Sequence, residues 1–207
     1  MKNTKLKSSM KIISFFLCIS LYSSALGAPS PKESVLDTME KMITLLNDQT
    51  LNVENKLELR KEKMHEILKE RFDEIGLARR ALGKHWKKIS RPQKIEFTSL
   101  FSKLLKNIYY NKIDSYITNS GSLKKENIIY ETEQIKGKNA ILKTKFIVSE
   151  EKVVNVKYLL KNKQNTWLIN DISIEGVSII KNYRSQFYEL IENESFDILL
   201  EKIKSKL

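Results

Sequence analysis

The apolar positions of this chain change their spacing along its length. In the first half, Val35, Met39, Met42, Ile43 and Leu46 recur at helical intervals, and Leu57, Met64, Ile67 and Leu68 form a second stripe. Ser90, with Gln93 three residues on, has the pattern of a capping box, and Pro92 falls in the first turn, where a missing N–H costs little. The helix starting there carries Phe97, Leu100, Phe101, Leu104, Leu105, Ile108 and Tyr109, an apolar face wider than one packing seam requires. From Asn127 to Ile174 the period falls to two, with turn signals from Lys136 to Asn139, from Ser149 to Glu151 and from Lys161 to Asn165.

Within that region Ala140, Leu142, Thr144, Phe146 and Val148 oppose Ile141, Lys143, Lys145 and Ile147, and Val154, Val156, Tyr158 and Leu160 oppose Asn155, Lys157 and Lys161. Leu168, Asn170, Ile172 and Ile174 alternate with Trp167, Ile169, Asp171 and Ser173. A turn at Gly176 then leads into an amphipathic helix through Ile179, Ile180, Tyr183, Phe187, Leu190 and Ile191. Helices, four strands joined by short turns, and helices again predict an α+β domain. Its antiparallel four-stranded meander has one face covered by N-terminal and C-terminal helices.

The N-terminus changes this picture. Lys2, Lys5, Lys7 and Lys11 precede an apolar run from Ile12 to Leu21 and the small-residue stretch Ala25-Leu26-Gly27-Ala28, the layout of a secretory signal peptide cleaved after Gly27. Cys18 lies in the run without the small residues that a lipidation signal places ahead of its cysteine. Residues 28–207 are then a single predicted domain without cysteine, with no Pro/Gly/Ser-rich linker to divide it. Of the 37 Lys and Arg, four lie in the leader, so 33 face 25 acidic residues and the net charge is +8. These charges are scattered, as in Lys87-Lys88 and Lys124-Lys125, and no nucleic-acid motif accompanies them, so no nucleic-acid partner is predicted.

Catalytic chemistry has little to work with. His65 and His85, twenty residues apart and read as surface residues, do not have zinc-ligand spacing, and no metal or other cofactor is predicted. Ser178 follows Gly176-Val177 without the second glycine of a nucleophile elbow and reads as a helix N-cap. Gly137 and Gly176 are isolated, so no phosphate-cradling loop forms. The expectation is a protein that is not an enzyme. Asp171 and Arg184 are read as an ion pair fixing the last long helix over the sheet, with Trp167 and Gly176 completing a structural set. Tyr109, Tyr116, Tyr158 and Tyr183 fit either a core or a cavity mouth.

Two patches carry a resemblance. One is Trp167-Leu168-Ile169-Asn170-Asp171, Glu175-Gly176-Val177-Ser178 and Tyr183-Arg184-Ser185-Gln186-Phe187. The other is Phe72-Asp73, Ala78, Leu82-Gly83, Trp86, Gln93, Phe97, Phe101, Leu104-Leu105, Tyr109 and Tyr116. In order and spacing they resemble the MlaC family of periplasmic phospholipid carriers, also called toluene-tolerance proteins, from about Val35 to the C-terminus. Glu74 stands where that family often has a second aromatic residue, and Pro92 sits one place later than its usual proline.

The resemblance implies an apolar lipid cavity between sheet and helices, phospholipid as cargo, and transport that maintains outer-membrane lipid asymmetry. It implies as partners an outer-membrane lipoprotein complex and the MCE-domain subunit of an inner-membrane ABC transporter. Together with the wide apolar faces, it points to Phe101, Leu105, Tyr109, Leu142, Phe146, Val156, Tyr158, Ile180, Tyr183 and Phe187 as lipid-binding residues. The carrier is expected to act as a monomer, with Lys84, Lys87 and Lys88 beside Trp86 as candidates for steering it to its partners. The competing expectation is a secreted scaffold or interaction domain with a filled core.

Overall fold

The computed structural model describes residues 28–51, 53–120, 124–149 and 152–207; the side chains of Glu54 and of residues 109–120 are outside that description. The predicted leader with Cys18, and the side chains of Tyr109 and Tyr116, therefore lie outside the described residues. Helix α1 (Pro31–Leu46) starts at Ser30, whose hydroxyl accepts from the Glu33 N–H at 3.1 Å while the Glu33 carboxylate accepts from the Ser30 N–H at 2.7 Å. α2 (Leu57–Arg71) stops at Phe72, whose backbone is extended, and α3 (Glu74–Leu82) begins at once, capped by Asp73. A short 3₁₀ turn over Gly83–Lys87 leads to α4 (Arg91–Ser120). The predicted capping box is present: the Ser90 N–H donates to Gln93 Oε1 at 3.0 Å and the Gln93 N–H to Ser90 Oγ at 3.4 Å.

The strands β1 (Ile128–Lys136), β2 (Asn139–Ser149), β3 (Lys152–Lys163), β4 (Thr166–Ile174) and β5 (Val177–Ser178) pair antiparallel in sequence order. The sheet thus has five strands, one more than the sequence predicts. Glu175 and Gly176, at φ +48° and +79°, make a tight turn of the type hairpins favour, and it folds Val177 and Ser178 back onto Ile174 and Ser173. Two residues are too few to show a period. Gln164 and Asn165, at φ +49° and +63°, turn β3 into β4 in the same way. Ser178 caps α5 (Ile179–Asn193) by accepting from the Lys181 N–H at 3.0 Å, and α6 (Phe196–Lys204) ends the chain's regular structure. Among the described residues no helix is long and apolar enough to cross a membrane.

Strict alternation in β4 fails. Leu159 pairs with Asp171 but Leu160 pairs with Ile169, so Asn170 is an extra residue, a β-bulge that reverses the facing of everything after it. Asn170 itself is buried, donating to Asp73 Oδ2 at 3.2 Å; Lys163 Nζ reaches the same carboxylate at 2.7 Å. The Asp73 N–H donates to the Ile169 carbonyl at 3.0 Å, which ties the α2–α3 break to the strand. Arg71 reinforces this joint from α2, donating to Thr38 Oγ1 on α1 at 2.8 Å and to the carbonyl of buried Trp167 at 3.0 Å.

The predicted Asp171–Arg184 ion pair is not formed. Asp171 is 1% exposed; its carboxylate accepts from Ser178 Oγ at 2.6 Å and from the Ile180 N–H at 3.3 Å, and faces Arg80 of α3 at 3.6 Å. The bulge turns Asp171 toward the first turn of α5, too near its start to meet Arg184. Arg184 instead donates from Nε to the Arg80 carbonyl at 2.6 Å, so Arg80 links both residues. Removing the carboxylate in Asp171→Ala leaves the Ser178 and Ile180 donors and the Arg80 charge without their partner. The expected loss is about 3 kcal/mol, read from the urea midpoint at unchanged m-value.

His85 is also not a surface residue. It is 5% exposed, its ring meets Tyr188 edge-on at 4.7 Å, and Nε2 lies 3.4 Å from Glu192. Burial holds its pKa below the ordinary 6.5, against the pull of Glu192 and with Lys84 and Lys88 adding to the shift. Half-buried His65 is lowered too, by desolvation first and then by Lys106. A histidine with a depressed folded-state pKa binds its proton more readily in the unfolded chain, so stability falls as pH drops below about 6.5. Between pH 7.5 and 5.5 the double variant His65→Gln/His85→Gln is expected to flatten the pH dependence of the urea midpoint; a slope equal to the parent's would refute the assignment.

Candidate functional site

A cavity of about 430 Å³ opens between the sheet and the helices. Its floor is Phe146, Ile147 and Val148 of β2, Val154, Val156 and Tyr158 of β3, and Ile169, Ile172 and Ile174 of β4. Ile169 and Ile172 are three residues apart and reach the same space only because of the bulge at Asn170. Val35, Met39, Met42 and Leu46, the α1 stripe, form one wall with Leu68 and Phe72. Leu77 of α3, Leu105 of α4 and Ile179 and Ile180 of α5 close the other side.

Among the described residues, Thr38, Glu74, Ser102 and Lys106 bring polar side chains to this lining, along with the Tyr158 hydroxyl. Thr38 is occupied elsewhere, donating to the Ser34 carbonyl at 3.1 Å while accepting from Arg71. Burial pushes the Tyr158 phenol above its ordinary range, so it stays neutral and behaves as part of the apolar floor. Glu74 and Lys106 pair across α3 and α4 at 2.9 Å, with 29% and 21% of their side chains exposed. Among the described residues no group of His, Cys, Asp and Glu is placed to hold a metal ion. What this arrangement offers a ligand is an apolar volume with one charged edge.

Of the nine predicted residues whose side chains are described, five, Leu105, Phe146, Val156, Tyr158 and Ile180, come together on the cavity lining. Leu142 is fully buried in the cluster of Val35, Ala140, Tyr158, Leu160, Trp167 and Ile169, and is not on the lining. Phe101, Tyr183 and Phe187 belong to another cluster, where their rings meet at 5.3 to 5.5 Å. There Phe97 stacks on Phe101 at 5.5 Å and Leu199, Leu200 and Ile203 of α6 complete the packing. On the broad apolar face of α4, Phe97, Phe101 and Leu104 serve α5 and α6, while Leu105 packs against the same cluster and also reaches the cavity.

Tyr183 and Phe187 also border a second, more polar cleft of about 340 Å³ between α5 and α6. Sequence reasoning missed the α1 stripe as a cavity wall, since its spacing is that of any core helix. Among the basic candidates, Lys84 is paired with Glu192 at 2.8 Å, Trp86 is packed against the α3–α6 core with Lys94 over its ring at 5.8 Å, and Lys87 and Lys88 are exposed.

No curated protein matches the chain. Among solved structures, the phospholipid-binding protein from Ralstonia solanacearum, in complex with a phospholipid, superposes with a TM-score of 0.73 at 16% identity, covering 86% of this chain and 97% of that one. At that identity the likeness is one of fold. The sequence model of the family described as MlaC protein matches residues 36–205, most of the chain, and this protein belongs to the MlaC family.

Proposed function

We propose that the protein is a phospholipid carrier whose residues 28–207 form one lipid-binding domain. The observation that carries this reading is the 430 Å³ cavity with its almost wholly apolar lining. That volume falls within the range of small-molecule sites, roughly 300 to 1,000 Å³. Family membership and the lipid-bound fold neighbour support the same reading. The competing scaffold reading needs a filled core, which a space of this size between sheet and helices disfavours.

The acyl chains lie against Leu105, Phe146, Val156, Tyr158 and Ile180, with the α1 stripe opposite. Exposing a ~16-carbon chain to water costs about 13 kcal/mol at ~0.8 kcal/mol per CH₂, so crossing an aqueous gap needs an apolar container and no catalysis. The chain works as a carrier in the periplasm after export, not as an enzyme. Lipid passes between an outer-membrane lipoprotein complex and the MCE-domain subunit of an inner-membrane ABC transporter. This exchange maintains outer-membrane lipid asymmetry.

Mass spectrometry of an organic extract of the purified protein is expected to find co-purified phospholipid, and a lipid-free protein in every preparation would overturn the reading. Val156→Trp is expected to lower the extracted lipid severalfold while circular dichroism stays unchanged. Docking at two membranes calls for transient, charge-steered contacts, for which exposed Lys87 and Lys88 are the candidates. Reversing both to Glu is expected to slow transfer to the MCE-domain partner and to flatten its salt dependence. Lipid already held should be unaffected.

A further inference from the structure

Glu74 and Lys106 raise a question that the cavity's apolar character does not answer. An ion pair at an apolar wall gives up much of its hydration, and such pairs are frequently no more stable than apolar replacements of similar size. Both residues line the cavity, yet both keep part of their side chain in solvent, so they stand at a place where the lining reaches water. Ser102 lines the same space, one helical turn before Lys106 and on the same face of α4. His65 of α2 has its pKa lowered by burial first and then by Lys106, with Glu58, Glu62 and Lys61 also acting on it.

A diacyl phospholipid seated with its chains in the cavity brings its phosphate to this edge, because an anionic diester cannot follow the chains into the apolar volume. We infer that Lys106, assisted by the Ser102 hydroxyl, is the phosphate anchor of the cavity, and that Glu74 holds the ammonium in place when no phosphate is present; this rests on the carrier reading above. An ammonium has three donors, so Lys106 can keep Glu74 while donating to a phosphate oxygen. A lysine suits the task as a point charge on a flexible stem: the stem packs along apolar chains while the head stays at the water boundary. The anchor gives the carrier a preference for phosphate-bearing lipids over neutral lipids with the same acyl chains. Chain burial alone does not supply that preference.

The test incubates the mature protein with vesicles holding phosphatidylglycerol and a diacylglycerol of identical acyl chains in equal amounts, then quantifies both in the re-isolated protein. The parent is expected to be enriched in the phospholipid. Lys106→Met, which keeps an apolar stem, should lower the phospholipid-to-diacylglycerol ratio about tenfold, the scale of one charge-assisted hydrogen bond. Lys106→Arg should retain the preference, and Glu74→Gln, which frees the ammonium, should raise it. Should Lys106→Met fail to fold by circular dichroism, Glu74→Gln and Ser102→Ala decide the matter, the latter with a smaller drop in the ratio. A parent that takes up both lipids with a ratio unchanged across the folded variants overturns the anchor and leaves the carrier standing. A parent that takes up neither overturns the carrier, and the anchor with it.

Discussion

The extra residue in β4 is the constraint on which the rest of the structure depends. A regular strand shows one face to the sheet's interior and one to the other side, and β4 has to do more than that. Trp167 and Ile169 must join the cluster over β2 and β3, Ile172 and Ile174 must reach the cavity, and Asp171 must reach the start of α5. The bulge at Asn170 reverses the facing partway along and satisfies all three. Its own side chain is held by Asp73, the cap of α3, so the irregularity in the strand and the break between α2 and α3 stabilise one another. The space at that joint is filled: a Cβ on Gly76 would fall 2.1 Å from Asp73 Oδ2 and 2.9 Å from Asn170 Nδ2. Asp171 then fixes α5 against α3 through Ser178 and Arg80, and α5 closes the cavity with Ile179 and Ile180.

The meander, its turns and the capped starts of α4 and α5 are legible in the sequence because each rests on local chemistry. The turns around Gly137 and Gln164-Asn165 separate runs of period two, and Ser90 and Ser178 stand where their hydroxyls can reach an N–H within the next turn. What escapes the sequence is non-local. Nothing in Trp167 to Ile174 marks Asn170 as extra, since neither glycine nor proline announces it; its partner Asp73 lies 97 residues away. The Asp171–Arg184 reading chose two opposite charges in adjacent elements, but Arg80, on a third element, takes the place between them. His85 read as a surface residue on a polar-faced helix, whereas Tyr188, over a hundred residues later, covers it. For the cavity the limit is of a different kind: apolar periodicity shows which side of a helix avoids water, and not whether another side chain or an empty volume faces it. Val35 and Met42 in the lining and Phe101 outside it look alike in that respect.

Leaving such a volume open is costly. Cavities in protein cores destabilise by about 24 cal/mol per Å³, so a wholly enclosed space of this size would cost on the order of 10 kcal/mol, comparable to the net stability of a domain. Two features of the fold bear on that cost. The cavity is partly open to solvent, with exposed Ile174 and part-exposed Glu74 and Lys106 on its lining, which makes part of it a cleft and not a void, and its frame is held independently of its contents. That frame consists of the Arg71, Asp73 and Asp171 joints on one side and the aromatic packing of α4 against α5 on the other. Thr38, Ile169 and Ile180 belong both to these joints and to the lining, each held by a partner outside it, so apolar cargo can leave without taking the scaffold apart. The remainder of the cost is what cargo recovers on entering: side chains that face empty space gain dispersion contacts and lose exposure to water when alkyl chains fill it. Ligand binding to the folded chain alone also adds to its stability by mass action. The carrier reading therefore couples stability to loading, with the empty protein as the less stable state at each end of its path.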